Sequence, residues 1–295
     1  MQLLLQLVFD GLVLGCVYSV AAVGFAIIYN TSRIFHVGFG TSYLVAAYTC
    51  FWLLAHWQVP LFLSVIAAIG VAAATGVLFE LLIYRPLRLR GASLLVMLIS
   101  SLGVYVVSVN LVSMFFGAET KILLAESAKA FRCGPLLIAS TQMPQLFVAM
   151  LLLVVIAFAT RNSRAGRALR AARDNPVLLE ATGTDLDRLY LVLFALGSAL
   201  AGLAAVLTSL DSGIDPNIGM PALLTAAAAL ILGGIGTFVG PVLGGILIGL
   251  LQGLALWQLS SRWTDAVTFC VLILFLLVRP QGVLGVVRRV EEVAD

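Results

Sequence analysis

The chain has 295 residues, 62% of them hydrophobic and only 11% charged, with a formal net charge of +3. Soluble domains carry about 25% charged residues, so this composition cannot cover a water-facing surface, and most enzyme classes are excluded with it. Lipid is the solvent for most of the chain, and the small positive excess gives no reason to expect a nucleic-acid partner.

Met1-Gln2-Leu3-Leu4-Leu5 carries no positive n-region, and no A-x-A-like site ends a short apolar stretch. The first apolar run is therefore expected to remain as a span. A helix needs roughly 20 apolar residues to cross the hydrocarbon core. Runs near that length are Leu3–Ile28, Leu61–Ile83, Leu94–Phe116, the shorter Leu146–Ala159, Leu189–Leu210, Val242–Leu259 and Trp263–Val278. Two further runs are interrupted: Ile34–Leu54 by His36, Gly38 and Gly40, and Pro221–Phe238 by Gly233-Gly234-Ile235-Gly236. The expectation is an all-α polytopic membrane protein with eight or nine crossings, some of them broken or half helices.

Positive charge sets direction. The basic turn Tyr84–Arg90, the segment 161–188 with its six arginines, and the tail bearing Arg279, Arg288 and Arg289 are expected in the cytoplasm. Residues 117–143, mixed in sign, then fall outside, as do Asp211 and Asp215 in their arginine-free turn. This places the N-terminus outside and the C-terminus inside. It gives one transmembrane domain, 1–295, with an external loop at 117–143 and a cytoplasmic loop at 161–188.

Glycines recur every fourth residue at Gly236, Gly240 and Gly244, at Gly245, Gly249 and Gly253, and at Gly11 and Gly15. Small residues at this spacing let helix backbones approach closely in lipid; lining a pathway is the other reading. Gly233-Gly234-Ile235-Gly236 is either a break at membrane depth, tolerated where it lines a cavity, or a cytoplasmic turn before Pro241. His36 is either inside the bundle, where it needs a hydrogen-bond partner, or at a helix-end interface.

The chemistry that is missing is equally informative. The apolar runs carry Asp10, Glu80, Asp211 and Asp265 only near their expected ends, which argues against ion-coupled carriage. The two lysines, Lys121 and Lys129, follow no G-x-x-x-x-G loop, so no P-loop is present. No membrane-protease or zincin motif occurs. Cys16, Cys50 and Cys270 in apolar runs and Cys133 in a loop match neither a disulfide framework nor a zinc site.

The 161–188 loop reads as more than an anchor for anionic lipid. Arg161, Arg164, Arg167, Arg170 and Arg173 are spaced by three, as for neighbouring positions on one helix. Asp174 and Asn175 then offer an N-cap, Pro176 the first helical position and Gly183 a stop, which defines a short helix over 176–182. Asp185 can cap the next span. A short helix with its own caps and an apolar start suits protein docking.

The segments Gly166-Arg167-Ala168-Leu169-Arg170-Ala171-Ala172, Asp174 and Glu180-Ala181-Thr182-Gly183 together resemble the cytoplasmic loop of permease subunits in branched-chain amino-acid ABC importers. Tyr84-Arg85-Pro86-Leu87-Arg88, Phe194–Gly202, Leu232–Gly236 and Arg279-Pro280-Gln281-Gly282 extend the resemblance nearly end to end and in family order. It implies a bacterial inner-membrane subunit that is no enzyme and holds no cofactor, ATP and Mg being bound by partners. Those partners would be a second permease, two cytoplasmic ATPases and an external solute-binding protein. Arg167, Arg170, Asp174, Asn175, Pro176, Glu180 and Gly183 would couple to the ATPase; His36, Phe39, Gly40, Tyr43, Gly233, Gly234 and Gly236 would lie on the translocation path. The solute would be a branched-chain amino acid or a related hydrophobic, amide or aromatic compound.

One stretch departs from the family pattern. Where relatives often show an Asn-x-Ala-His-Gly-Glu-like run, this chain reads His36-Val37-Gly38-Phe39-Gly40-Thr41, which points to a more apolar or aromatic solute if the run contacts it. A stand-alone channel or facilitator for a small polar solute is the alternative, and it would not need the docking helix.

Overall fold

The computed structural model describes residues 2–123, 130–133, 136–260, 263–279 and 281–285. The basic positions Arg288 and Arg289 and the side chain of Cys133 lie outside the described residues. In chain order the helices are α1 (Gln2–Ser32), α2 (Gly38–Trp57), α3 (Leu61–Phe79), α4 (Arg85–Leu89), α5 (Leu94–Phe116), α6 (Gln142–Asn162), α7 (Arg164–Asp174), α8 (Pro176–Ala181), α9 (Leu186–Ser212), α10 (Gly219–Gly233), α11 (Gly240–Ala255) and α12 (Thr264–Val278). A π-helical turn, Glu80–Tyr84, joins α3 to α4, so 61–89 is one continuous apolar element. A small antiparallel hairpin, β1 (Ala130–Cys133) with β2 (Leu136–Ala139), sits between α5 and α6. Six elements are long and apolar enough to cross a bilayer, and α10, α11 and α12 are shorter apolar helices, consistent with the expected eight or nine crossings.

Helix α1 is the axis of the bundle: 83% of its most apolar window is buried, against 17% for α5 and for α6. It owes that place to small residues. A Cβ on Gly11 would stand 2.8 Å from the Gly249 carbonyl oxygen, and one on Gly15 2.9 Å from the Ile246 Cα. From the other side, a Cβ on Gly249 would strike the backbone of Gly15. The four-residue spacing thus forms a bare-backbone seam between α1 and α11, the packing reading of those glycines. A second seam joins α9 to α3 at Gly76, which abuts Phe194 and Ser198.

Contacts at the two ends fix which loops share a side. At one end the Gln6 amide donates to the Leu137 carbonyl (2.8 Å) and accepts from the Leu137 N–H (2.9 Å). Thr141 donates to Asp211 (2.6 Å), and Lys121 pairs backbone to backbone with Ile214. The start of α1, the 117–141 loop and the end of α9 therefore lie together. At the other end lie Arg85 and Arg88, bonded to Asp187, and α7, bonded through Arg173 to the Gly236 carbonyl. The arginine-rich end is the one that the positive-inside rule expects in the cytoplasm.

Three expectations need correction. The five arginines spaced by three do not share a helix, because Ser163 is extended (ψ 160°) and its hydroxyl caps α7 through the Gly166 N–H (2.9 Å). Arg161 thus ends α6, while the later four belong to α7. The run expected over 146–159 is a 21-residue helix, α6, because Gln145 is buried by donating to the Leu207 carbonyl (2.9 Å) and so need not lie outside the bundle. Glu80 is no span end either: it is fully buried inside 61–89, with Arg88 folded back to it at 2.5 Å.

Candidate functional site

Two helices begin within the bundle and not at its rim. A Cβ on Gly40, in the first turn of α2, would lie 2.9 Å from the Gly219 carbonyl oxygen and 3.0 Å from the Tyr105 ring. Gly219, which opens α10, is equally closed: its Cβ would strike the Gly40 carbonyl. Glycine at both positions lets two helix starts cross with nothing between their backbones. Irregular backbone of this kind in a membrane protein needs shielding by protein or a water-lined cavity beside it.

Such a cavity is present. About 290 Å³ of space opens directly against Ile218 and Pro221, on either side of Gly219. Tyr18 of α1, Tyr43 of α2, Thr208 of α9 and Thr225 of α10 line it, with Asp215 and Asn217 from the linker before α10 and Asp265 from α12. Among the described residues no lysine, arginine or histidine borders it. Tyr18 is fixed by donating to Gln252 Oε1 (2.9 Å), whose amide in turn donates to Thr268 (2.6 Å). Asp215 Oδ1 accepts from the Asn217 N–H at 2.8 Å, which shapes the linker.

Of the seven residues expected on the path, Tyr43 lines this cavity and Gly40 forms the crossing beside it. His36 and Phe39 are fully buried away from it. The His36 Nδ1 lies 2.6 Å from the Tyr84 hydroxyl, and its ring sits edge-on to Phe79 and Phe194. This resolves the two readings of His36 in favour of the bundle interior. Phe39 packs edge-on against Phe25 at 5.6 Å between centroids. Gly233, Gly234 and Gly236 belong to the arginine-rich end. There Asn30 accepts from the Gly236 N–H (3.0 Å), and Val283 and Leu284 donate to the carbonyls of Leu232 and Gly233. Those two bonds satisfy acceptors that the end of α10 would otherwise leave bare. Tyr18, Thr208, Asp215, Thr225 and Asp265, which also line the cavity, were not among the residues expected on the path; the one sequence signal was the acid in an arginine-free turn.

The segment expected to dock forms largely as its caps dictate. Asn175 Oδ1 accepts from the Leu178 N–H (3.0 Å), Pro176 occupies the first helical position, and Gly183 ends the segment at φ +87°. Asp174 is not the cap; it pairs with Arg173 at 2.9 Å. Helix α7 presses Leu169 and Ala172 into the bundle, and Arg170 binds the Thr160 carbonyl. Arg167 and Glu180 face solvent, and Leu178 is 63% exposed, an unusual position for leucine unless something covers it.

Just past α8, Asp187 bonds Arg85 (2.9 Å) and Arg88 (3.2 Å), and the Arg88 guanidinium lies 4.5 Å over the Tyr190 ring. Arg88 also holds the buried Glu80. The start of α9 is thereby clamped to the π turn, and the π turn carries Tyr84, the partner of His36.

This arrangement of spans accompanies a clear kinship. Residues 7–276 match the family described as branched-chain amino acid transport system, permease component. The chain belongs to that family. The permease is 32% identical to the high-affinity branched-chain amino acid transport system permease protein LivH of Salmonella typhimurium, over 95% of each chain. It is likewise 32% identical to BraD of Pseudomonas aeruginosa, again over 95% of each. A shorter likeness, 31% over 135 residues, links it to the autoinducer 2 import system permease LsrC of Yersinia pseudotuberculosis. Among solved structures, PsaBC from Streptococcus pneumoniae superposes with a TM-score of 0.54 over 95% of this chain and 93% of that one, at 14% identity, a likeness of fold alone. The chain is thus a multi-pass membrane permease component of a branched-chain amino acid transport system and not an enzyme. Among the described residues no group of three His, Cys, Asp or Glu side chains could hold a metal ion.

Proposed function

We propose that residues 1–295 act as one transmembrane unit of an ATP-driven importer for branched-chain or closely related hydrophobic amino acids. Two cytoplasmic ATPases, a second permease and an external solute-binding protein complete the assembly. The exposed, self-capped helix α8 carries this reading. Arg167, Arg170, Asp174, Asn175, Pro176, Glu180 and Gly183 build an element anchored on the bundle through α7, with Leu178 and Glu180 turned outward. A stand-alone channel has no use for such a feature. Closure of the ATPase pair would push on α8, and the push is effective only if α8 is held differently in the two states of the permease. The path runs through the cavity beside the Gly40–Gly219 crossing, with Tyr43 on its wall. Gly233, Gly234 and Gly236 serve the inner end of the path, where Arg173 ties α7 to the turn they form.

The test is uptake of labelled leucine by proteoliposomes holding the complete assembly. Glu180→Lys and Gly183→Trp should stop ATP-dependent uptake while the permease pair stays intact in the membrane. Both positions are exposed, but Gly183 sits at φ +87°, where a tryptophan also strains the turn, so Glu180→Lys is the variant whose loss reports on docking and not on folding. Full uptake by well-assembled variants would refute the docking role.

A further inference from the structure

The cavity beside the crossing has a chemical sign. It carries two carboxylates, Asp215 and Asp265, two phenols, two threonine hydroxyls and the Asn217 amide, and no cationic side chain among the described residues borders it. Neither carboxylate takes part in an ion pair among the described residues. Thr225 supplies an independent observation. It is only 7% exposed, it lines the cavity, and its hydroxyl has no hydrogen-bond partner among the described residues. The side chain is mostly buried but its oxygen stays reachable from the cavity, so Thr225 is placed for a group that arrives from outside the chain. Thr208 donates to the Ala204 carbonyl (2.9 Å) and is also bonded to the Tyr43 hydroxyl, so a hydroxyl oxygen with two lone pairs keeps one toward the cavity. The carboxylate, phenol and threonine oxygens and the Asn217 amide oxygen can accept a hydrogen bond, the Asn217 amide can also donate, and negative charge predominates.

We infer that this cavity is the permease's own subsite for the α-ammonium group of the solute, with Asp215, Thr225 and Thr208 as acceptors. The inference rests on the amino-acid import reading and deepens it: selection is exercised inside the membrane as well as in the external binding protein. A primary ammonium has three donors and one positive charge, which matches an acceptor-rich, anionic cavity. The corresponding 2-oxo acid has the same side chain and carboxylate but no donor, and its negative charge would be repelled. Asp215 is well placed to report occupancy, because its linker leads directly into Gly219 at the crossing.

The experiment uses the complete assembly in proteoliposomes, with one binding protein throughout so that only the permease varies. Asp215→Asn and Thr225→Val should each reduce leucine uptake at sub-saturating concentration, about ten- to a hundredfold for the former, as loss of a charge-assisted hydrogen bond implies. Asp215→Glu should restore most of it. Co-purification with the partner subunits checks assembly, and Glu119→Gln, at a side chain 90% exposed, serves as control. Leucine bound to the permease–ATPase complex without binding protein should be displaced by isopentylamine and not by 4-methyl-2-oxopentanoate. Equal displacement by the oxo acid, or wild-type uptake by both assembled variants, overturns the subsite. Absence of leucine uptake by the wild-type assembly would overturn the import reading and the subsite with it, so the two failures are distinguishable.

Discussion

Replacing Arg88 by methionine would leave a carboxylate stranded in the membrane. Glu80 is fully buried in the 61–89 element, its Oε1 lies 2.5 Å from the Arg88 guanidinium, and its Oε2 has no hydrogen-bond partner among the described residues. Arg85 is engaged with Asp187 and lends Glu80 only a weaker, non-bonded charge interaction. Removing one partner of a buried ion pair costs about 3–5 kcal/mol, since the charge left behind must be desolvated or neutralised. Removing both with shape kept costs far less, so Glu80→Gln with Arg88→Met should recover all but about 1–2 kcal/mol. At about 2–4 °C per kcal/mol for a chain of this size class, Arg88→Met should lower the melting temperature of the purified permease by roughly 10 °C. The double variant should melt within about 5 °C of wild type. The assay is thermal unfolding in detergent, read by loss of monodispersity across the four members of the cycle. A single variant melting within about 2 °C of wild type, or a double variant no better than Arg88→Met, would show that the pair does not hold the π turn.

Other consequences follow from single contacts. Tyr84→Phe removes the partner of the His36 Nδ1 while Nε2 is already unpartnered; with both ring nitrogens bare, the variant should lose about 1–3 kcal/mol, seen as a lower melting temperature. Gly249→Val forces a side chain into the backbone of Gly15 and should cost at least about 1–3 kcal/mol, whereas Gly70→Val, with nothing within 4 Å, should be tolerated; expression as a monodisperse species separates them. Asn175→Ala removes the cap of α8, worth about 1 kcal/mol, and should speed amide exchange in 176–181 about fivefold with the spans unaffected.

Features set by a single continuous stretch of chain were legible in the sequence. Span lengths follow from the thickness of the hydrocarbon core, the α1–α11 seam from glycine spacing, and α8 from the run Asn175-Pro176 to Gly183, whose capping is local. What escaped depends on contacts between distant segments. Glu80 looked like a span end because the basic turn follows it, but α3 continues through a π turn that brings Arg88 back over it, and Asp187, about a hundred residues on, completes the clamp. The hairpin 130–139 lies in a loop whose strands have only four residues each and no alternating pattern long enough to read. The cavity was hidden for a different reason. Tyr18, Thr208 and Thr225 are single polar residues in apolar helices, each unremarkable alone, and only the tertiary arrangement turns them toward Asp215.

Helix α9 connects the features that the sequence could not. Its first turn carries Asp187, clamped to Arg85 and Arg88. Its middle presses Gly197 against Gly24 and Gly202 against Ala72, contacts without side-chain slack. Its last turns put Thr208 on the cavity wall. At 27 residues it is about 40 Å long, and it contains no proline. Close-packed elements of this kind shift as units and do not bend continuously. A displacement of α8, four residues upstream, would therefore reach the cavity as movement of a rod and not be absorbed along the way. The yielding point must lie elsewhere, where backbones touch without interlocking side chains. The Gly40–Gly219 crossing has that character: both helices start there, and each is joined to the bundle by an irregular linker of about five residues. On the proposed coupling, a rigid α9 beside a bare-backbone crossing would let a push on the arginine-rich rim change the shape of the cavity within the bundle.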